Sequence, residues 1–187
     1  MLDNKAHKDA KDSEERTPIY LAARENHGAI VRLLVERKAD IEARSGRKQT
    51  LLYQAASEGN KTAVELLIAT GTDKDVQDGS GRSPLHEAVS HTRDVVELLV
   101  NNGADTTTRD FEGHTLLYAA ATSKSSIDTA TILLKHKGPG KDARGLDGCT
   151  PLHVAATKGN LEVASLLVIS GANIEMEDNK KQTPLYM

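Results

Sequence analysis

Apolar residues along this chain fall into two kinds of cluster that return at a fixed interval. The first is a short run led by Thr or Ser, Thr17-Pro18-Ile19-Tyr20-Leu21-Ala22-Ala23, repeated as Thr50-Leu51-Leu52-Tyr53-Gln54-Ala55-Ala56 and Ser83-Pro84-Leu85-His86-Glu87-Ala88-Val89. It returns as Thr115-Leu116-Leu117-Tyr118-Ala119-Ala120-Ala121 and Thr150-Pro151-Leu152-His153-Val154-Ala155-Ala156, and a sixth copy begins at Thr183-Pro184-Leu185-Tyr186. The intervals between leading residues are 33, 33, 32, 35 and 33. The second cluster is a Leu-Leu pair at Leu33-Leu34, Leu66-Leu67, Leu98-Leu99, Leu133-Leu134 and Leu166-Leu167. From the second Leu to the next Thr or Ser the distance is always 16, whereas from each Thr or Ser to its own pair it is 16, 16, 15, 18 and 16. All length variation is therefore expected in one connection, with the fourth repeat two residues longer there.

Each cluster reads as a helix. Thr17 or Ser83 before Pro is an N-cap followed by Pro at the first helical position, where a missing N–H costs nothing. The Ala pairs give a slim inner helix that neighbours can approach closely. Ile30-Val31-Arg32-Leu33-Leu34 sets apolar residues on one stripe of an outer helix. Gly71, Gly103, Gly138 and Gly171 follow the outer helices where a left-handed cap is expected. Gly81, Gly113 and Gly148 stand two before the next Thr or Ser, where a tight turn needs positive φ.

The T-P-L-H-x-A-A, V-V-x-L-L, G-A-D and D-x-x-G blocks, in register at about 33 residues, resemble the ankyrin repeat family from about residue 12 to the end. The resemblance implies an all-α solenoid of stacked helix-turn-helix units joined by short β-turn or hairpin fingers. The repeats run about 16–48, 49–81, 82–113, 114–148 and 149–181, with a partial sixth at 182–187. Residues 1–15, with eight charged side chains, stay open between a solvated tail and the last finger of a preceding repeat. The half-made, apolar sixth copy points to a piece of a longer array, because a terminal repeat needs a polar outer face. Lys38 and Lys48 stand where the first repeat's cap and finger would hold Gly, so that finger is expected to be rebuilt or loose.

Composition narrows the function. Only 3% of residues are aromatic, so the core is built from Leu, Val, Ile and Ala. A net charge of −3 draws the chain to neither nucleic acid nor an anionic membrane. No apolar run approaches the roughly 18–20 residues of a membrane span. One cysteine, Cys149, excludes an internal disulfide and fits an intracellular, reducing setting in cytoplasm or nucleus.

Candidate chemistry dissolves on inspection. His86 and His153 share a slot with all four tyrosines, Tyr20, Tyr53, Tyr118 and Tyr186, so the slot wants a ring with a polar tip that bonds the finger backbone, not a metal ligand. Cys149 lacks a catalytic partner at a recognisable spacing, and Gly140-Lys141 fails the phosphate-loop pattern. Asp78, Asp110 and Asp178 read as turn caps. No catalytic, cofactor or metal site is expected, and no small-molecule substrate is evident.

What remains is the surface, where the resemblance implies a concave groove between fingers and inner helices. Phe111 and Leu146 occupy matching places on consecutive fingers, flanked by Arg109 and Arg144, as in a binding hot spot. The competing reading folds Phe111 back onto its own finger. Arg82 and His114 stand one before the Ser or Thr, and Arg44 opens a finger, Arg44-Ser45-Gly46-Arg47-Lys48-Gln49, that is locally +3 and suited to an acidic partner. These residues lead to a non-catalytic protein-interaction module of the adaptor or scaffold kind. The alternative is a regulatory or substrate-docking segment excised from a larger enzyme or channel. Nucleic-acid binding would need a basic face with stacking aromatics, which this chain lacks.

Overall fold

The computed structural model describes residues 7–91, 93–123, 126–136 and 140–187. Among them lie ten α-helices in five antiparallel pairs. The inner helices are α1 (Pro18–Arg24), α3 (Leu51–Ser57), α5 (Pro84–Ala88), α7 (Leu116–Thr122) and α9 (Pro151–Thr157). The outer helices are α2 (Gly28–Glu36), α4 (Lys61–Ala69), α6 (Arg93–Asn101), α8 (Ile127–Lys135) and α10 (Leu161–Ile169). Each inner helix packs on its own outer helix and on the inner helix of the next repeat, and the outer helices stack likewise. A 3₁₀ turn, Pro184–Tyr186, follows α9 in the inner row. The fold is an all-α solenoid, and the single isolated β-bridge among the described residues, Arg109 with Thr115, lies in a finger.

The leading Thr or Ser is the N-cap of every inner helix, in extended backbone. The hydroxyls of Thr50 and Thr115 accept the N–H of Tyr53 and Tyr118 at 3.1 and 3.3 Å. Ile19, Leu52, Leu85, Leu116, Leu117 and the alanines are sealed between layers with Val31, Val64, Leu67, Val96, Leu99, Leu133, Val163 and Leu167 of the outer row. No repeat has a core of its own, so burial is shared at interfaces and stability is a sum over neighbours. Two buried asparagines tie those interfaces. Asn60 and Asn160 cap their outer helices through Oδ1 and donate from Nδ2 to the Ala23 and Ala121 carbonyls of the preceding repeat, both at 3.4 Å.

The fourth repeat departs from its expected layout. Its two extra residues are not both between the helices: one lengthens the stretch from Thr115 to Ile127, and the other lies beyond α8. The Leu-Leu landmark is offset by one residue in α8. In α4, α6 and α10 the second Leu of the pair is sealed, whereas in α8 it is the first, Leu133, with Leu134 partly exposed. The third repeat's deletion shortens α5 to five residues. Lys124 and Ser125 of the insertion, and Gly138, fall outside the described residues. Lys38 and Lys48, expected to disturb the first repeat, take the left-handed backbone at φ 57 and 63 instead. The finger keeps its closing bond, Ser45 N–H to Gln49 O at 3.0 Å.

Candidate functional site

The fingers are built by one recurring device. The carboxylates of Asp78, Asp110 and Asp178 each accept two backbone N–H groups, from the residues two and four further on, at 2.7–3.0 Å. Asp12 binds Glu14 and Arg16 in the same way, both at 2.9 Å, so residues 12–16 carry the finger geometry. These backbone bonds hold the Asp12 and Asp178 carboxyls below the usual carboxylate range. Gly145 and Ser45 replace the Asp in the remaining two fingers.

Consecutive fingers are joined by one backbone rung each. Gly46 donates to Glu14, Gly79 to Arg47, Phe111 to Ser80, Leu146 to Glu112 and Asn179 to Asp147, at 2.8–3.2 Å. A second set of rungs comes from side chains. Gln77 Nε2 donates to the Gly81 and Arg109 carbonyls at 2.6 and 2.9 Å, and Arg109 Nη1 to those of Gly113 and Arg144 at 2.7 and 3.0 Å. Arg144 continues with Gly148 O and Asn179 Oδ1 at 3.0 and 3.3 Å. Arg109 and Arg144 therefore brace the finger row as well as flanking its apolar residues.

The ring slot lies at the groove floor. In His86 and His153, Nδ1 accepts the N–H of Ser83 and Thr150, both at 3.2 Å, which leaves Nε2 as the protonated nitrogen. His153 Nε2 donates to the Gln182 carbonyl of the next finger at 2.9 Å, as the slot argument expects. His86 Nε2 is buried and has no hydrogen-bond partner among the described residues. Burial, with Arg82 nearby, pushes the His86 pKa down to about 4. The tyrosines differ from the expectation, because the phenol reaches past the finger backbone to side chains. Tyr20 OH meets Gln49 and Gln54 at 3.0 and 2.8 Å, and Tyr53 OH donates to Glu87 at 2.8 Å. Tyr118 stacks on His114 with centroids 3.7 Å apart, and burial raises its hydroxyl to about 12.

Three cavities of about 460, 470 and 540 Å³ open between neighbouring fingers and the inner helices. The largest gathers three of the residues singled out in the sequence, Arg82, Phe111 and His114, with Tyr118, Ala119 and Thr122 as floor. Phe111 is 67% exposed, and its ring lies over Gly81 of the preceding finger. Leu146, 74% exposed, stands on the next finger. His114 sits between Asp110 and Glu112, with Nδ1 at 3.2 and 3.4 Å from their carboxylates. Arg44 is exposed and lines none of the three cavities. Register alone does not mark Tyr118 and Ala119 as floor residues, although their place in the T-P-L-H-x-A block, the ring slot and the variable position after it, is visible in the sequence.

The arrangement offers contact surface and little reactivity. Burial and Asp147 push the Cys149 thiol up to about 11, which keeps it protonated at neutral pH. Among the described residues no three His, Cys, Asp or Glu side chains converge as a metal site, and no helix is long and apolar enough to cross a membrane.

Comparison with known proteins agrees with this architecture. The family description "Ankyrin repeats (3 copies)" matches residues 42–110 and 107–178, and "Ankyrin repeat" matches residues 14–46. A solved structure of the ankyrin repeat domain of Bcl-3, described as a unique member of the IkappaB protein family, superposes with a TM-score of 0.81 at 28% identity, covering 96% of this chain and 80% of that one. A Caenorhabditis elegans protein, the ankyrin repeat and LEM domain-containing protein 1 homolog, is 41% identical over 70 residues, 37% of this chain and 10% of that protein's length. With matches spanning residues 14–178 and a solenoid built from the same unit, this chain belongs to the ankyrin repeat family.

Proposed function

We propose that the chain is a non-catalytic adaptor or scaffold that works inside the cell and grips a protein partner in its concave groove. Ankyrin repeats are protein-interaction modules, and the observation that supports this site in particular is the cavity beneath Phe111. There an exposed ring, the stacked His114–Tyr118 pair and the Ala119 floor form a concave surface of mixed polarity, rimmed by Arg82 and Glu112. Leu146 extends the apolar edge, and Arg109, Arg144 and Arg44 supply charge along the finger row. Aromatic anchors framed by arginine are the usual composition of an energetic centre in protein interfaces. Neither a nucleic acid nor a small-molecule substrate is proposed. The role of a docking segment within a larger protein would use the same groove and draws on the short share of the Caenorhabditis elegans relative that is matched.

A photo-crosslinking amino acid tests the reading. Placed at Thr122, on the groove floor, it should give discrete protein adducts in cell extract. Placed at Glu65, exposed on α4, it should give none in common with Thr122. Equal adducts from both positions would refute the groove.

A further inference from the structure

We propose that the N-terminal half of the groove receives an acidic stretch of the partner chain, with Arg47 as the central cation, while the apolar anchor sits in the C-terminal half. The inference rests on the groove reading above and adds the polarity of its occupant.

The floor changes character along the solenoid at one position, the residue after the ring slot. It is Leu21 in the first repeat, Gln54 and Glu87 in the second and third, then Ala119 and Val154 in the fourth and fifth. The polar half has its hydrogen bonds largely satisfied internally. Tyr20 bonds Gln49 and Gln54, Gln54 donates to Glu58 at 2.9 Å, and Glu87 is held by Tyr53 and by Arg82 Nη1 at 2.6 Å. Glu87, an acid facing the second cavity, is thus neutralised before any ligand arrives.

The cations are not all committed in the same way. Arg16 is paired with Asp12 and Glu14 at 2.8 and 3.0 Å, and Arg24 with exposed Glu25 at 3.1 Å. Arg47 makes no ion pair among the described residues, yet it lines both the 460 Å³ and the 470 Å³ cavities. Its finger, residues 44–49, holds Arg44, Arg47 and Lys48 and no acid. At the place that Arg47 fills, the following fingers hold Ser80, Glu112, Asp147 and Lys180 in turn. A carboxylate-rich segment is therefore favoured beside Arg47 over the places beside Glu112 and Asp147.

Spacing gives the partner a shape. Neighbouring helices pack about 8–10 Å apart, so Arg47 lies roughly 20–30 Å from the Phe111–Leu146 fingers. An extended chain rising about 3.3 Å per residue needs about 6–9 residues to join an acidic stretch to an apolar anchor. The acidic contact, exposed and screened within about 8 Å at physiological salt, speeds and orients association.

A phage-displayed random 16-residue peptide library, selected against the whole chain, is the test. Enriched peptides that Phe111→Ala releases should carry clustered Asp or Glu at that separation from an apolar residue. Arg47→Glu should weaken them at least about 10-fold and flatten their salt dependence. The milder Arg47→Gln should weaken them less, and Lys-for-Glu peptides should recover on Arg47→Glu. Groove-dependent peptides with no acidic bias, or indifferent to both Arg47 variants, would overturn this inference and leave the groove standing. If no enriched peptide responds to any groove substitution, both fail. A polyuridine probe bound with the same Arg47 dependence, in place of peptides, would also overturn the acidic-segment assignment.

Discussion

Gly81 and Gly71 share a left-handed backbone, with φ at 80 and 84, but differ in what lies over them. A Cβ at Gly71 meets open space, whereas at Gly81 it would stand 2.4 Å from Phe111 Cδ1 and 2.7 Å from Phe111 N. Gly71→Ala should cost about 1 kcal/mol for the backbone alone. Gly81→Ala should cost about 2–4 kcal/mol, because finger must separate from finger, and adding Phe111→Ala should restore part of it. Urea melts of the three variants check the ordering. His86 supplies a second test at this scale. Its folded pKa of about 4 lies below the ordinary 6.5, so the unfolded chain binds the extra proton between those values. That contribution to stability is whole above pH 6.5 and is lost as pH falls toward 4. Wild type should therefore lose about 2 kcal/mol more than His86→Tyr between pH 7 and pH 5, tyrosine being the residue that fills this slot in other repeats. Parallel pH profiles would place the histidine's environment elsewhere.

At the scale of elements, the fourth repeat shows both what patterning reveals and where it stops. The Thr115 cap and the Ala120-Ala121 pair locate its inner helix, because those residues act on their own backbone. The insertion was misplaced because Leu133-Leu134 is a landmark of composition, and only packing tells which leucine is sealed. The described residues on either side of the insertion are tied to their neighbours. The Ser126 hydroxyl shares its one proton between Ala120 O and, at 2.6 Å, Ser123 O, and Thr129 reaches Val89 O of the third repeat at 3.1 Å. Ser126→Ala removes a buried hydroxyl that ties the start of α8 to α7, and should cost about 1–2 kcal/mol. Native-state hydrogen exchange at 120–123 should then rise above that of the matching end of α5. Unchanged protection would mean that helix packing alone holds the connection. The tyrosine contacts were hidden for a related reason: Tyr53 finds Glu87 34 residues away, a pairing that depends on stacking and leaves no local mark.

Over the whole molecule, repetition made the solenoid readable, since one unit copied five times can bury its apolar faces only by stacking. The groove was readable less fully. Phe111, Leu146 and His114 stood out by their register, but the bracing bonds of Arg109 and Arg144 exist only between fingers already side by side. Those arginines serve the scaffold, which places the binding energy of the proposed centre on the apolar residues. The most direct test is a paired measurement on Phe111→Ala/Leu146→Ala, taking affinity for a groove-selected peptide together with melting temperature. Loss of hot-spot contacts should weaken binding roughly 30-fold or more, with the melting temperature moving by no more than about 3 °C. Binding that survives while the melting temperature collapses would contradict the account, because both side chains would then be packing of the finger row and no contact of the partner.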